Sequence, residues 1–496
     1  NNLLILFRGY FFMKRFLCLL LSAVSLFALA LFSTGCEKNK NAACRYEITA
    51  EYVPETATLT AMMKVEYKNN TNDEISALKF NMYPNAYREN ASYKPVSPVY
   101  SSAAYYDGKS YGGMEIASVD GAKNWEVTGE DENILCAYLE DSLFPGDKVT
   151  LDICFLTKLA KINHRTGVAQ KTVNLGNFFP ILCGYADGAF YECVYYSDGD
   201  PFFSECASFS VALTVPKDYV VAATGKIDSE KTLETKKEYT MSATNVRDFA
   251  IVLSDCFEVA KSKANGVEIN YYYYNDEQPA AHLAAAQEAL AYYSSTFGAY
   301  PYATYSVVQT GFCYGGMEFP GLVMISDSLS EENCVYTVVH ETAHQWWYAA
   351  VGSNQVENAW QDEGLTEYSA ALFFEKHPDY GFTREQIIKD ALEEYRAYYN
   401  VYSQVFGDAD TRMTRSLKDY LSEYEYRSIA YDKGAVMFDT LRNSIGDKRF
   451  FAGLKHYYSG YKFKTAKPED LIGCFEKSGV DVAGFFDSFL SGKAVI

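Results

Sequence analysis

The sequence is poor in positive charge and lacks closely paired cysteines. Its 496 residues carry 44 Lys and Arg against 64 Asp and Glu, a formal net charge of -20. Nucleic acid would need a basic surface, so this balance argues against a nucleic-acid partner. The 12 cysteines form no Cys-x-x-Cys pair, so a cysteine-ligated metal is not expected. The chain also lacks an internal repeat and a low-complexity linker.

Histidine is scarce too, with 6 residues, yet two of them stand four apart in His340-Glu-Thr-Ala-His344. Residues four apart share a helix face, so both imidazoles can face one metal ion, with Glu341 beside them. Glu363 follows after eighteen intervening residues and completes a set of two His and one Glu. Hydrolytic zinc sites use this set and keep a fourth position for water. The alternative for the pentapeptide alone is a buried helix with two hydrogen-bonded histidines.

Capping signals place this motif on a helix. Ser330 stands in N-cap position before the acidic pair Glu331 and Glu332, which favours a helix that carries the motif in its interior. A second helix is predicted from Glu363 to His377 and ends before Pro378. In such a site zinc polarises a carbonyl and activates water, and Glu341 can take the proton from that water.

Four motifs resemble, in chain order, the signatures of the aminopeptidase N family of zinc peptidases, the gluzincins. They are Gly315-Gly-Met-Glu-Phe-Pro-Gly321, His340-Glu-Thr-Ala-His-Gln-Trp-Trp347, Asp362-Glu-Gly-Leu-Thr-Glu-Tyr368 and Tyr431-Asp-Lys-Gly-Ala435. The similarity runs from about Cys44 to the C-terminus. It implies a multidomain α+β fold, in which a saddle-like, β-rich N-terminal domain precedes a thermolysin-like, mainly helical zinc peptidase domain.

The resemblance also implies a role for each motif residue. It assigns one zinc per chain to His340, His344 and Glu363, and general base catalysis to Glu341. Glu318 would bind the substrate amino group, and Gly315, Gly316 and Met317 would also line the substrate site. Tyr431 would donate a hydrogen bond to the oxyanion. The family motif usually has Asn where this chain has Phe319, which puts the shape of the amine subsite in doubt.

Several auxiliary residues have a structural alternative. Tyrosine is abundant, 43 in all, so Tyr431 is a candidate only because of its Tyr-x-Lys-Gly-Ala setting, and Tyr426 is a weaker one. Glu367, one turn after Glu363, is either a partner to a zinc-bound histidine or a charge on the helix surface. Trp346 and Trp347 are expected in the core.

The N-terminus predicts export. Residues 13–36 combine Met13-Lys14-Arg15, an apolar run from Phe16 to Phe32, and Gly35-Cys36, the layout of a signal peptide with a lipoprotein cleavage site. This predicts a lipid anchor on Cys36 and a location on the outer face of a bacterial cell membrane. An uncleaved membrane-spanning anchor is the alternative. Residues 1–12 precede the first methionine and are interpreted as non-native upstream sequence.

Three further segments are predicted from the patterning. Residues 37–44 are a polar linker, 45–256 alternate apolar and polar residues in short runs typical of strands, and 257–496 are the catalytic domain. We expect no large C-terminal helical domain and therefore an open cleft. The predicted function is a zinc aminopeptidase that acts on peptides with a free N-terminus. The alternatives are a zinc endopeptidase or other hydrolase on the same site, or a catalytically silent binding protein.

Overall fold

The computed structural model describes residues 43–496. The predicted signal with Cys36, the residues before it and most of the predicted linker lie outside the described residues. Within residues 43–496, no helix combines the length and the apolar character that crossing a bilayer requires.

Alternating sequence in the first half becomes strands with one buried face. Strand β1 buries every second residue from Cys44 to Tyr52, the period expected of a strand with one face on a core. The strands of this part are β1 (Cys44–Val53), β2 (Thr58–Lys68), β3 (Ile75–Asn81), β4 (Gly113–Asp120), β5 (Asn124–Thr128), β6 (Ile134–Leu143), β7 (Lys148–Lys158), β8 (Thr166–Val168), β9 (Val173–Leu175), β10 (Ile181–Leu182), β11 (Tyr185–Ala186), β12 (Ala189–Phe190), β13 (Ala207–Pro216), β14 (Val220–Ala223), β15 (Lys226–Thr232), β16 (Lys236–Val246) and β17 (Ile251–Ser254).

The longest of these strands form a seven-stranded sheet in the order β15-β16-β13-β1-β2-β7-β4. Strand β1 pairs antiparallel with β2 and parallel with β13. Two four-stranded sheets, β10-β3-β6-β5 and β14-β17-β9-β8, and the hairpin β11-β12 accompany it. The one α-helical turn described here is α1 (Ser101–Ala104).

The second half begins with a five-stranded sheet in the order β18-β19-β20-β22-β21, and helices dominate after it. Its strands are β18 (Glu258–Ala264), β19 (Val267–Tyr273), β20 (Thr304–Thr310), β21 (Gly316–Met317) and β22 (Leu322–Ser326), with a separate short pair β23 (Val351–Gly352) and β24 (Lys464–Thr465). The helices are α2 (Pro279–Thr296), α3 (Glu331–Ala343), α4 (Ala359–Lys376), α5 (Arg384–Phe406), α6 (Glu423–Arg427), α7 (Lys433–Ile445), α8 (Asp447–Tyr461), α9 (Pro468–Glu476) and α10 (Ala483–Leu490). The predicted order, a β-rich part before a mainly helical part, is confirmed.

Two helix predictions need correction. Helix α4 begins at Ala359, so Glu363 lies in its second turn and not at its start. The first turn has no side-chain cap, and burial of Ala359 and Trp360 holds it instead, which local sequence does not reveal. The residue patterning also predicts one helix from about Arg427 to Ser444, but residues Ser428–Asp432 form a π-helical turn between α6 and α7.

The two halves meet through a buried arginine. Arg247, just after β16, donates Nη1 to the carbonyl oxygen of Ser204 at 2.9 Å and Nη2 to that of Lys464 at 3.0 Å. Its Nε donates to the carbonyl oxygen of Ala349 at 3.4 Å. One side chain therefore ties the N-terminal strands to two segments of the helical part. The first hydrophobic core also crosses this boundary, since it contains Met317 and Phe319 beside β21.

Candidate metal centre and catalytic pocket

Three predicted ligands converge in the buried centre of the helical part. The Nε2 atoms of His340 and His344 lie 3.1 Å apart, and Glu363 Oε2 lies 3.5 Å and 3.2 Å from them. Ligand atoms about 2.0–2.1 Å from a tetrahedral zinc ion lie about 3.3 Å from one another. The three separations therefore match a single zinc site. Helix α3 supplies the histidines, with Ser330 capping it as predicted. His344 is its C-cap residue, so the motif lies at the end of the helix and not in its interior.

The outer nitrogen of each imidazole is held by a carboxylate. His340 Nδ1 lies 2.9 Å from Glu367 Oε2, and His344 Nδ1 lies 2.9 Å from Asp362 Oδ1. Such partners fix the tautomer, because Nδ1 carries the proton and the Nε2 lone pair is left for the metal. Burial favours neutral imidazole, but the carboxylates of Glu363 and Glu367 outweigh it and raise the pKa of His340 to about 9. Glu367 thus takes the position of a histidine partner, the first of its two predicted alternatives.

The carboxylate of Glu363 is suited to a cation. Its Oε2 atom is buried and accepts no hydrogen bond from a described residue. Burial alone would raise its pKa, but the two imidazoles outweigh burial and hold the pKa of Glu363 well below its usual range. A buried anion without a donor is costly unless an ion pairs with it. With two inward imidazole nitrogens beside it, this donor set fits zinc.

Glu341 projects into the same centre from α3. Its side chain is 5% exposed, and its Oε2 atom accepts no hydrogen bond from a described residue. The carboxylate lies directly against Gly316, where any Cβ would overlap it. Burial raises the pKa of Glu341 to about 7, although the charges of His340 and His344 lower it. A carboxyl group with this pKa is well placed to exchange protons near neutral pH.

Glu318 lies at the buried end of the site, 3% exposed. Its Oε1 atom accepts from Gln355 Nε2 at 3.1 Å, and the same amide also donates to Asp362. Burial, together with the charges of nearby carboxylates, raises the pKa of Glu318 well above its usual range. A cationic ligand would restore its charged form. Sequence reasoning missed Gln355, which carries no motif signal.

The segment that carries Glu318 is fixed on both sides. Met317 and Gly316 form β21, which pairs antiparallel with β22, and Gly315 precedes it beside helix α3. Gln345 Oε1 accepts from the backbone N–H of Gly321 at 2.7 Å, and Gln345 Nε2 donates to the carbonyl oxygen of Phe319 at 3.2 Å. The ring of Phe319 is fully buried and packs against Gly176 of the N-terminal part. The residue that departs from the family motif is therefore a core residue.

Tyr431 reaches the metal ligands from the π-helical turn. Its ring stacks on that of His340, with centroids 6.0 Å apart and planes 12° from parallel. Tyr426 packs edge-on against it at 5.7 Å and is 3% exposed. Burial raises the pKa of Tyr431 well above its usual value, followed by the charge of Glu363. Its hydroxyl therefore stays protonated and can donate a hydrogen bond. Trp346 and Trp347 lie in the core, as predicted.

A pocket of about 310 Å³ opens onto His340, Glu341 and Tyr431. The N-terminal part contributes to its wall through Tyr100, Arg165 and residues 197–200. Sequence reasoning assigned no site residue to that part. A larger cavity of about 1180 Å³ lies elsewhere, between N-terminal loops and residues 462–472, and none of the predicted site residues lines it.

Comparisons with known proteins agree with this geometry. The model of the Peptidase family M1 domain matches residues 281–489. Aminopeptidase M1-D of Oryza sativa subsp. japonica is 26% identical over 303 residues, which cover 55% of this chain and 32% of that protein. Aminopeptidase N of Lactococcus lactis subsp. lactis is 27% identical over 203 residues, which cover 38% of this chain and 23% of that protein. The chain thus spans about a third or less of the length of these curated relatives.

A solved structure shares the fold over nearly the whole described chain. The M1 zinc metallopeptidase from Deinococcus radiodurans has a TM-score of 0.64 at 16% identity, over 91% of this chain and 94% of that chain. At this identity the likeness shows the fold alone. That fold unites the N-terminal strands and the helical part in one two-part architecture.

Proposed function

We propose that this chain, whose residues 281–489 match the Peptidase family M1 domain, is a zinc-dependent aminopeptidase that removes N-terminal residues from peptides. The observation that carries the proposal is the convergence of two inward Nε2 atoms and the unpartnered Glu363 Oε2 within 3.5 Å of one another. Zinc supplies a Lewis acid that polarises the scissile carbonyl and activates water.

The chain's own residues then divide the work. Glu341 accepts the proton of the attacking water, since its carboxylate faces the ligand cluster and its pKa lies near neutrality. Tyr431 donates its hydroxyl hydrogen to the oxyanion, a role that its raised pKa permits. Glu367 and Asp362 hold the two imidazoles in the tautomer that leaves Nε2 free.

Glu318 supports an exopeptidase in preference to an endopeptidase. It is a buried carboxylate at the closed end of the site, and its neighbours include Asp200, Asp362 and Glu363. Such a position is costly for an anion and becomes favourable when an ammonium group enters. A structural neighbour from Deinococcus radiodurans has been solved with a Tyr-Ser-Ala substrate bound. For this chain, peptides with a free amino terminus are the proposed substrates.

Paired peptides test the aminopeptidase. The purified protein should hold about one zinc per chain and cleave a free-amine peptide much faster than its N-acetylated form, and chelator should abolish this activity. Glu318→Ala should lose at least about tenfold in kcat/KM on the free peptide, with little change on the acetylated one. Glu332→Ala, an exposed position, is the control. An unchanged preference in Glu318→Ala would favour the endopeptidase, and a protein without stoichiometric zinc would remove the proposal.

We further propose that the protein is exported and held at the outer face of a bacterial cell membrane by a lipid on Cys36. The support is the arrangement of residues 13–36 in the sequence. Cys36→Ala should release the protein from the membrane fraction. Retention of the variant after detergent-free washing would favour an uncleaved anchor.

A further inference from the structure

The catalytic pocket is strongly acidic. Its wall presents six carboxylates and two guanidinium groups, belonging to Asp198, Asp200, Glu341, Glu367, Glu423, Asp432, Arg165 and Arg427. Such a wall attracts the amino end of a peptide and repels its carboxyl end. A peptide that is short enough to bring both ends into the pocket therefore needs a cation that is free to meet its negative end.

Arg165 cannot serve as that cation. Its Nη1 atom lies 2.6 Å from Asp200 Oδ1, and both side chains are largely buried. The guanidinium also lies 5.0 Å from the ring centroid of Phe202. A buried ion pair of this kind is strongly destabilised when one partner is drawn away. Arg165 therefore balances Asp200 and leaves the rest of the wall acidic.

Arg427 differs from Arg165, because Arg427 is exposed to solvent. Within residues 43–496, its guanidinium makes no hydrogen bond and no ion pair within 4.0 Å. The carboxylates of Asp432, Glu423 and Glu367 interact with it only through their charge. Glu423 is occupied, since its Oε1 atom accepts from Tyr100 at 2.9 Å. A guanidinium has five N–H donors in a planar fork, which matches a carboxylate.

The position of Arg427 sets the direction in which it can act. It is the last residue of α6, four positions before Tyr431, whose ring covers His340. Glu318, by contrast, is only 3% exposed and lies at the buried end of the site. A peptide with its amino group at Glu318 and its first carbonyl at the metal ligands directs its remaining residues towards the open side. Arg427 stands on that side.

We propose that Arg427 binds a carboxylate on the leaving-group side of the scissile bond. The favoured substrates are di- and tripeptides with a free α-carboxylate, and an Asp or Glu side chain just after the scissile bond provides the same chemistry in longer peptides. This proposal rests on the proposed aminopeptidase function. Arg427 determines specificity, while the metal ligands, Glu341 and Tyr431 carry out the reaction.

Four substrates that share the same N-terminal residue distinguish an α-carboxylate from a side-chain carboxylate as the group that Arg427 binds. They are Leu-Gly-Gly, its C-terminal amide, Leu-Glu-Gly amide, and leucyl-7-amido-4-methylcoumarin, which has no downstream charge. Wild-type kcat/KM should be about tenfold higher for Leu-Gly-Gly than for its amide, the scale of a partly exposed charge-assisted hydrogen bond. Leu-Glu-Gly amide should regain this advantage if a side-chain carboxylate reaches Arg427, and should behave like the plain amide if only the α-carboxylate does.

Variants at one position supply the decisive contrast. Arg427→Ala should remove the advantage of the free acid through KM, while hydrolysis of the coumarin substrate stays unchanged. Arg427→Lys should keep part of it, and Arg427→Glu should reverse it. Arg449→Ala, at an exposed position on helix α8, is the matched control and should behave as wild type. A ratio of free acid to amide that is the same in Arg427→Ala and wild type would overturn the proposal, as would a wild type that does not discriminate.

A binding measurement separates this proposal from the aminopeptidase itself. Titration of Leu-Gly-Gly and its amide into zinc-loaded Glu341→Gln gives dissociation constants without cleavage, with and without Arg427→Ala. If the free acid binds more tightly than the amide and this difference is lost in the double variant, the proposed role of Arg427 is supported even if no substrate is hydrolysed. Cleavage of the coumarin substrate without any difference between acid and amide in binding or kinetics would retain the aminopeptidase and reject the role of Arg427.

Discussion

Glu341 and Gly316 lie so close together that neither residue can be understood alone. The absence of a side chain at Gly316 lets the carboxylate of Glu341 rest on the backbone of β21. That contact holds the carboxylate beside the ligand cluster. The motif predicted Glu341 as the general base, whereas the reason for the glycine at position 316 is seen only in the fold.

Glu341→Gln should retain zinc and lose at least about 100-fold in kcat, the usual scale for general base catalysis. The substitution keeps the size of the side chain and removes its ability to accept a proton. Zinc content and kcat are to be measured on one preparation, with Glu332→Gln on the same helix as control. Equal activity in Glu341→Gln would exclude the assigned role.

At the scale of elements, the site depends on how closely helices α4 and α7 cross. A Cβ on Gly434 would meet the Cα of Gly364 at 2.6 Å, and a Cβ on Gly364 would meet Gly434 Cα at 2.8 Å. Gly364 follows the ligand Glu363, and Gly434 follows the π-helical turn that carries Tyr431. The glycine contact therefore sets the separation between a metal ligand and the proposed oxyanion donor.

Gly434→Ala should push α7 away from α4 and move Tyr431 relative to His340. We expect kcat to fall about tenfold or more with little change in KM and with zinc retained, and stability to fall by about 1–3 kcal/mol, as for other overpacked contacts. Steady-state kinetics, metal analysis and denaturant unfolding check this. Gly473→Ala, a helical glycine with no atom within 4 Å of its Cβ, is the control. Normal kcat in Gly434→Ala would show that the crossing does not position Tyr431.

The sequence predicted elements well where local signals are strong. Ser330 caps α3 by accepting a backbone N–H, as predicted. Thr383, which precedes Gln386 by three residues in a capping-box pattern, caps α5 in the same way. The π-helical turn was not predictable from local sequence. It is accompanied by two tertiary contacts, the packing of Gly434 on Gly364 and of Tyr431 on His340. Asp362 is adjacent to a predicted ligand in the sequence, but only the folded structure shows that its carboxylate oxygen contacts His344 Nδ1.

At the scale of the molecule, burial of acidic groups links stability to pH. Asp248, between β16 and β17, accepts from its neighbour Phe249 N at 2.6 Å and from Asn177 Nδ2. Burial outweighs these bonds and raises the pKa of Asp248 to about 7. The folded protein therefore binds the proton more tightly than the unfolded chain, so this group's contribution to stability falls as pH rises from about 4 to about 7.

Asp248→Asn should remove that contribution. The free energy of unfolding of the variant, relative to wild type, should increase with pH between about 4 and 7 by up to about 4 kcal/mol and level off above. The Asn177 amide, whose Oδ1 has no described partner, can turn to accept from the new amide. Denaturant unfolding at a series of pH values measures the difference, with exposed Asp255→Asn as control. A difference that does not change with pH would contradict the prediction.

The predicted order of the two parts is confirmed, residues 281–489 match the Peptidase family M1 domain, and His340, His344 and Glu363 form a group suited to zinc. Residue patterning predicted the order of the two parts, and the His-Glu-x-x-His motif with Glu363 predicted the ligand group. The positions of Arg165, Asp200 and Arg427 in the pocket wall could not be predicted from the sequence. They depend on how distant segments pack, and no motif marks these residues.

The burial of Phe319 in the first core makes the candidate site depend on the N-terminal part of the chain. Its ring packs on Gly176, whereas the predicted zinc ligands lie on helices of the second part. The neighbouring Glu318 is the proposed contact to the substrate amino group. A chain whose N-terminal part is unfolded would leave this carboxylate without the packing that holds its segment, so the proposed selectivity for free amino termini would report on complete folding.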